Sequence, residues 1–158
     1  DHEIMRVFQQ IGVIDAIGAA RESYTPTLTN CSVGTGGNAE RTGKYVKAGR
    51  LVIFRVKLVL GTSSASVSGL IGISLPFTAA GSASGYNEAA SFNAIFLDAG
   101  AGIFPAMAVQ ETNTRIDLYP INAASTYAAL GAATSATVPF TWAAGDHIHL
   151  SGVYEAAS

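Results

Sequence analysis

The chain has few charged residues, one cysteine and no long apolar run. Charged residues make up only 13% of the 158 residues, against the quarter that is usual in globular proteins. A single cysteine, Cys31, excludes an internal disulfide and a cysteine-based zinc site within one chain, and is expected to be a small packing residue. No apolar run approaches ~20 residues, so no membrane insertion is predicted. A formal net charge of −2 gives no long-range attraction to nucleic acid or anionic membrane.

The only helical pattern lies at the N-terminus. Ile4, Val7, Ile11 and Ile14 follow one another at intervals of three, four and three residues, which is the a/d spacing of a coiled coil. This spacing predicts an α-helix over residues 3–20. β-Branched residues at both a and d favour trimers and tetramers, and a helix this short is unstable alone in water. We therefore assign residues 1–23 to a stalk that forms a homotrimer. The alternative is an amphipathic helix packed on its own β domain.

Residues 24–158 alternate apolar and polar side chains as β-strands do. Eight or nine strands, separated by turn signals, are predicted. The sequence therefore predicts an all-β head domain, an antiparallel β-sandwich or jelly-roll, preceded by the short N-terminal α-helix. The clearest strands are expected at 44–47, 52–60, 67–75, 91–98, 103–111, 115–121, 138–141 and 146–154.

The sequence contains no convincing catalytic pattern. Carboxylates are scattered about one per element, and no spacing marks the pair that glycoside hydrolysis needs. The Gly-x-Ser-x-Gly pattern at 81–85 lies outside the strand-to-helix turn that a serine hydrolase requires. The glycines at 34–37 lack the Lys-Ser/Thr of a phosphate-binding loop. We predict a non-enzymatic protein without a cofactor.

One histidine pair is the only pattern that suggests a metal. His147 and His149 lie at i and i+2 and so face the same side of one strand. Two imidazoles are too few for a structural zinc within one chain, but three copies around a threefold axis would supply six. The arrangement resembles the iron-binding pattern in needle-like tails of some phage fibres. The favoured interpretation is that both histidines are solvated or interface residues, because the opposite face carries the expected core residues Ile148, Leu150 and Tyr154.

Polar loops with aromatic residues are the candidate ligand-binding tips. Tyr86 and Asn87 in the loop 78–90, and Tyr127 in the loop 122–136, are the predicted contacts, because binding residues gather on loops held by a rigid scaffold. Trp142 is predicted to plug the core instead. Six of the nine cations form a cluster with few interleaved aromatics, which argues against nucleic-acid binding. On strands, Arg55 and Lys57 are expected to mark the solvent face.

Four segments together carry a resemblance to a known family. They are 24–28 (YTPTL), 43–52 (GKYVKAGRLV), 139–146 (PFTWAAGD) and the closing 148–156 (IHLSGVYEA). In this order they resemble the C-terminal β-sandwich domains of tailed-bacteriophage fibre, spike and minor tail proteins, over about residues 24–157. The resemblance implies a trimer at the distal end of a stalk, located on the virion tail or capsid surface. It carries over no catalytic or ligand-binding residue.

Three functions follow as hypotheses. The leading one is a trimeric virion fibre or spike head that attaches to a glycan or protein receptor on the host cell surface. The alternative is a structural virion component, decorating the capsid or belonging to the tail, that contacts only other virion proteins. The third is a glycan-degrading spike. Because the sequence starts at Asp1 and not at Met, a C-terminal piece of a longer stalked protein is a further expectation.

Overall fold

The structure is a computed structural model that describes residues 21–81, 90–122, 124 and 129–158. These residues form ten strands and no helix, and all strand pairs among them are antiparallel. The antiparallel all-β class is therefore confirmed. The predicted helix, with Ile4, Val7, Ile11 and Ile14, lies outside the described residues. The strands are β1 Glu22–Tyr24, β2 Leu28–Ser32, β3 Glu40–Ala48, β4 Leu51–Val59, β5 Ser66–Ser74, β6 Ala90–Asp98, β7 Gly102–Thr112, β8 Arg115–Asn122, β9 Ala129–Leu130 and β10 His147–Glu155.

Nine strands make one curled sheet. Their order is β1-β3-β4-β10-β6-β7-β8-β5-β2, and the short β9 pairs with β8. β1 and β2 lie at opposite ends of this order, although only residues 25–27 separate them in the chain. Four extended steps of chain span at most ~14 Å, so the two ends of the sheet must be close together. The sheet accordingly curls as half a barrel. A β-sandwich or jelly-roll is a finer description than this topology establishes, and it stays a prediction.

The inner face of the curled sheet carries the hydrophobic core. On β4, Val52, Phe54, Val56 and Leu58 are buried, whereas the residues between them face outward. Burying one such side chain stabilises the fold by about 1.5–3 kcal/mol. The fully buried Tyr154 anchors the segment after β5, because its Oη donates to the Phe77 carbonyl at 2.9 Å and accepts from the Phe77 amide at 3.0 Å. Burial raises the pKa of Tyr154 to about 12, so this hydroxyl stays protonated.

Most of the predicted strands are confirmed to within one residue at each end. β3 is longer than predicted because it begins at Glu40, and β1 begins at Glu22, ahead of the expected start of the β domain at residue 24. The predicted strand at 138–141 is wrong. There Val138 makes only an isolated bridge to Ser135, and Pro139, without an N–H group, cannot extend a ladder.

The segment before β10 closes the core instead. Trp142 packs edge-to-face on Phe96 with ring centroids 5.4 Å apart, and its indole N–H donates to the Ser135 carbonyl at 3.0 Å. Trp142 therefore packs against the hydrophobic core, as predicted. The buried Asp146 holds the following turn, since its carboxylate accepts from the amides of Ala99 and Ala143 at 3.0 and 2.7 Å.

Candidate functional site

The outer face of β3, β4, β10 and β6 presents ordered rows of side chains. The strand register places Lys44 of β3, Arg55 of β4, Ser151 of β10 and Asn93 of β6 in one row across the sheet. Neighbouring strands are ~4.8 Å apart, and successive rows on one face are ~7 Å apart. The next row consists of Thr42, Lys57, His149 and Ile95, and the third consists of Glu40, Val59, His147 and Leu97.

These rows form a groove. Its main part encloses about 580 Å³, which is within the usual range for ligand pockets. Residues whose side chains point inward, such as Val56 and Leu150, also line it, so the strand backbone forms its floor. A second depression of about 360 Å³ continues it. We call the two together the cationic groove. The two depressions share four lining residues, which are Lys44, Arg55, Asn93 and Ser151.

Cationic side chains outnumber carboxylates in the described lining of the groove. Its lining includes four cationic side chains, Arg21, Lys44, Arg55 and Lys57, and one carboxylate, Glu40. The Lys57 ammonium donates to Glu40 at 2.7 Å, and the Thr42 hydroxyl donates to its other oxygen at 2.7 Å. These two hydrogen bonds hold the pKa of the Glu40 carboxyl below its ordinary value. Glu40 is therefore ionised at neutral pH and is already paired.

Lys44 and Arg55 have no such partner. They are direct cross-strand neighbours, both are exposed, and neither forms a salt bridge with any residue in the described part of the chain. Like charges directly opposite one another destabilise an antiparallel pair. Residues that break a local rule of stability, as this like-charge pair does, are expected at functional sites.

The histidine pair borders the groove. The His147 and His149 rings are stacked with centroids 5.6 Å apart, and Nδ1 of His147 lies 3.3 Å from Nε2 of His149. Burial, with the neighbouring His147 and Lys57 adding to it, lowers the pKa of His149. Within the described ranges, no group of three or more potential ligands could hold a metal ion. The site with six imidazoles in a trimer stays a prediction.

Tyr86, Asn87 and Tyr127 lie outside the described residues. Cys31 is partly buried in β2, and burial raises the pKa of its thiol to about 11, as fits a packing residue.

The predicted basic cluster is divided by the strand register. Lys47 lies over the Phe77 ring at 5.1 Å, and Arg50 pairs with Glu155 at 3.1 Å, both away from the groove. Lys44 and Arg55, together with Lys57, face the groove. The β3–β4 hairpin turns at Gly49-Arg50. Pairing residues outward from this turn would have predicted from the sequence that the groove cations lie together.

A second surface lies beside the groove. On β7, Ile103, Pro105 and Met107 alternate with inward-facing residues and are exposed, Ile103 at 64% and Met107 at 42%. We call these three residues the apolar strip. Strip residues Ile103 and Pro105 pair with Leu97 and Ile95 of β6, so the strip adjoins the groove. Contiguous exposed apolar surface of this kind is typical of interaction sites.

Comparison with protein-family models, with curated proteins and with solved structures finds no match to this chain. Within the described ranges, no helix has the length and hydrophobicity that crossing a bilayer would require. The features of this chain that bear on its function are therefore the geometry of the outer sheet face and the sequence patterns described above.

Proposed function

We propose that the chain is a non-enzymatic attachment module, the head domain of a virion fibre or spike, which binds a host-surface glycan through the cationic groove. The row Lys44-Arg55-Ser151-Asn93 carries this proposal. It sets two cations, a hydroxyl and an amide on neighbouring strands of a rigid sheet. Such groups donate several hydrogen bonds at fixed spacing, which suits a ligand rich in oxygen atoms.

The groove favours binding over hydrolysis. Glycoside hydrolysis uses two carboxyl groups roughly 5–10 Å apart, one of them kept protonated as the general acid. The described lining of the groove offers only Glu40, whose Oε2 is 2.7 Å from the Lys57 ammonium. A carboxylate with a lowered pKa is a poor proton donor at neutral pH.

The proposed active form is a homotrimer. Its stalk would be residues 1–23, with Ile4, Val7, Ile11 and Ile14 around the threefold axis, and three β-sandwich heads would extend from it. Weak contacts at each groove gain avidity when three copies bind one surface together. The low charge content of the chain is consistent with surface buried between subunits.

A second candidate function is favoured by the apolar strip. If the strip lies outside the trimer interface, a structural virion protein that contacts only other virion proteins would explain Ile103, Pro105 and Met107. The two functions differ in whether a host glycan is bound at all.

Two measurements test the proposal. Light scattering should give the mass of a trimer for the whole chain and a lower mass for a chain lacking residues 1–20, which keeps β1. Incubation with bacterial envelope polysaccharide should give binding without release of reducing sugar. Release of sugar would identify a glycan-degrading spike instead, and a trimer that binds none of a broad polysaccharide panel would favour the structural component.

A further inference from the structure

We infer that the ligand of the cationic groove is an acidic glycan, and that one of its anionic groups lies between Lys44 and Arg55. The inference rests on the proposed attachment function and adds the chemical class of the ligand. A carboxylate, sulfate or phosphate on a sugar would supply the same interaction, namely a negative charge with several acceptor oxygens.

The cross-strand pair of cations favours an anionic ligand. Lys44 and Arg55 are directly opposite each other on β3 and β4, a position in which Cβ atoms are ~5 Å apart and like charges repel. Glu40, the carboxylate in the described lining of the groove, is held by Lys57 at 2.7 Å. An anion between these two cations would remove the repulsion, and the planar guanidinium of Arg55 can bind a carboxylate through two parallel hydrogen bonds.

The rest of the row suits a sugar chain. From Lys44 the row continues through Arg55 to Ser151 and Asn93, which are exposed and offer a hydroxyl and an amide. Across four strands this row is ~14 Å long. An extended ligand could therefore place its anion at one end and its hydroxyl groups at the other.

Charge is also concentrated at this site. The whole chain has a formal net charge of −2, whereas the described lining of the groove contains four cations and one carboxylate. Of the described residues, the aromatic ones that line the groove are Phe54 and Phe92, and both rings pack in the hydrophobic core, so stacking on a sugar face contributes little there. Binding should depend on charge and hydrogen bonds, and should weaken as added salt screens the exposed cations.

The test uses the full chain and three probes: polygalacturonate, dextran sulfate and neutral dextran. Binding is measured by biolayer interferometry at about 0.05 M and about 0.5 M salt, a range over which the Debye length falls several-fold. The wild type should bind at least one acidic polymer on the order of 10-fold more tightly than dextran, since each charge-assisted contact is worth about a factor of ten. The two acidic arms distinguish a carboxylate from a sulfate ligand.

Two variants locate the site. K44Q/R55Q should lose on the order of 10-fold or more in affinity for the acidic polymer. R41Q is the control, because Arg41 is an exposed cation on the same strand as Lys44 but lies on the opposite face of the sheet. R41Q should bind within about twofold of the wild type. Should K44Q/R55Q fail to fold, NMR titration of the wild type with galacturonate oligomers should shift the Ser151 and Asn93 side-chain and backbone signals.

Each other outcome overturns the inference. Equal, salt-insensitive binding of dextran would leave the attachment function standing but remove the acidic ligand. Equal losses in R41Q and K44Q/R55Q would indicate diffuse charge attraction and no site in the groove. Failure to bind either acidic polymer would also overturn it. Labelling of bacterial cells by the same protein then shows whether the attachment function fails as well.

Discussion

Replacing Lys44 by glutamate should stabilise the fold and at the same time abolish binding of acidic glycans. The change converts a like-charge pair with Arg55 into an ion pair on the same two strands. Cross-strand pairs contribute about 0.2–1 kcal/mol, and reversing the sign of one charge removes a repulsion and adds an attraction. Because both residues are exposed, solvent screening keeps the gain to about 1 kcal/mol at low salt. For a domain of this size, that gain corresponds to a rise in Tm of about 3 °C.

Thermal unfolding followed by circular dichroism measures this gain, and K44Q provides the intermediate case. K44Q removes the repulsion without adding an attraction, so its Tm should lie between those of the wild type and K44E. At about 1 M salt, where the Debye length is ~3 Å, the three values should converge. A K44E protein that is no more stable than the wild type at low salt would refute the reasoning, because the pair would then impose no cost that a ligand could relieve.

Three further predictions concern stability. Tyr154→Phe should lower the free energy of unfolding, measured by urea denaturation, by about 1–3 kcal/mol, because it leaves the partly buried backbone N–H and carbonyl of Phe77 without their partner; Tyr119→Phe, on a half-exposed ring, should change it by less than about 0.5 kcal/mol. Gly152→Ala should cost about 1–3 kcal/mol by the same assay, since a Cβ there would lie 2.5 Å from the Phe92 ring. The pKa of His149 is lowered in the fold, so the unfolded chain binds more protons and stability should fall as pH drops below about 6.5; unfolding midpoints against pH should show this loss, and His149→Gln should reduce it.

Strand positions were largely predictable because alternation is a local signal. On β4 and β10, apolar residues recur at every second position, and their burial follows that period. The strand predicted at 138–141 is wrong because this segment forms no strand ladder. Phe140 packs on the Trp142 ring, and Val138 makes only an isolated bridge to Ser135. The order of strands in the sheet depends on contacts far apart in the chain, such as β10 between β4 and β6, and no local pattern encodes them.

The candidate site was predictable only in part, because one of its strand pairings is local in sequence and the others are long-range. The turn at Gly49-Arg50 fixes the register of the β3–β4 hairpin, so the pairing of Lys44 with Arg55 follows from local sequence. The addition of Ser151 and Asn93 to that row requires the long-range neighbours β10 and β6. Sequence patterns therefore indicate the charges of the groove, and the tertiary fold supplies its length and its hydrogen-bonding groups.

Attachment through the cationic groove is most directly tested by labelling cells with the fluorescent full-length chain, over a panel of bacteria that differ in envelope polysaccharide. The account predicts that the wild type and R41Q label the same strains, and that K44Q/R55Q loses most of that labelling at low salt, with its difference from the wild type shrinking as salt is raised. Labelling by K44Q/R55Q as strong as that by the wild type would contradict it.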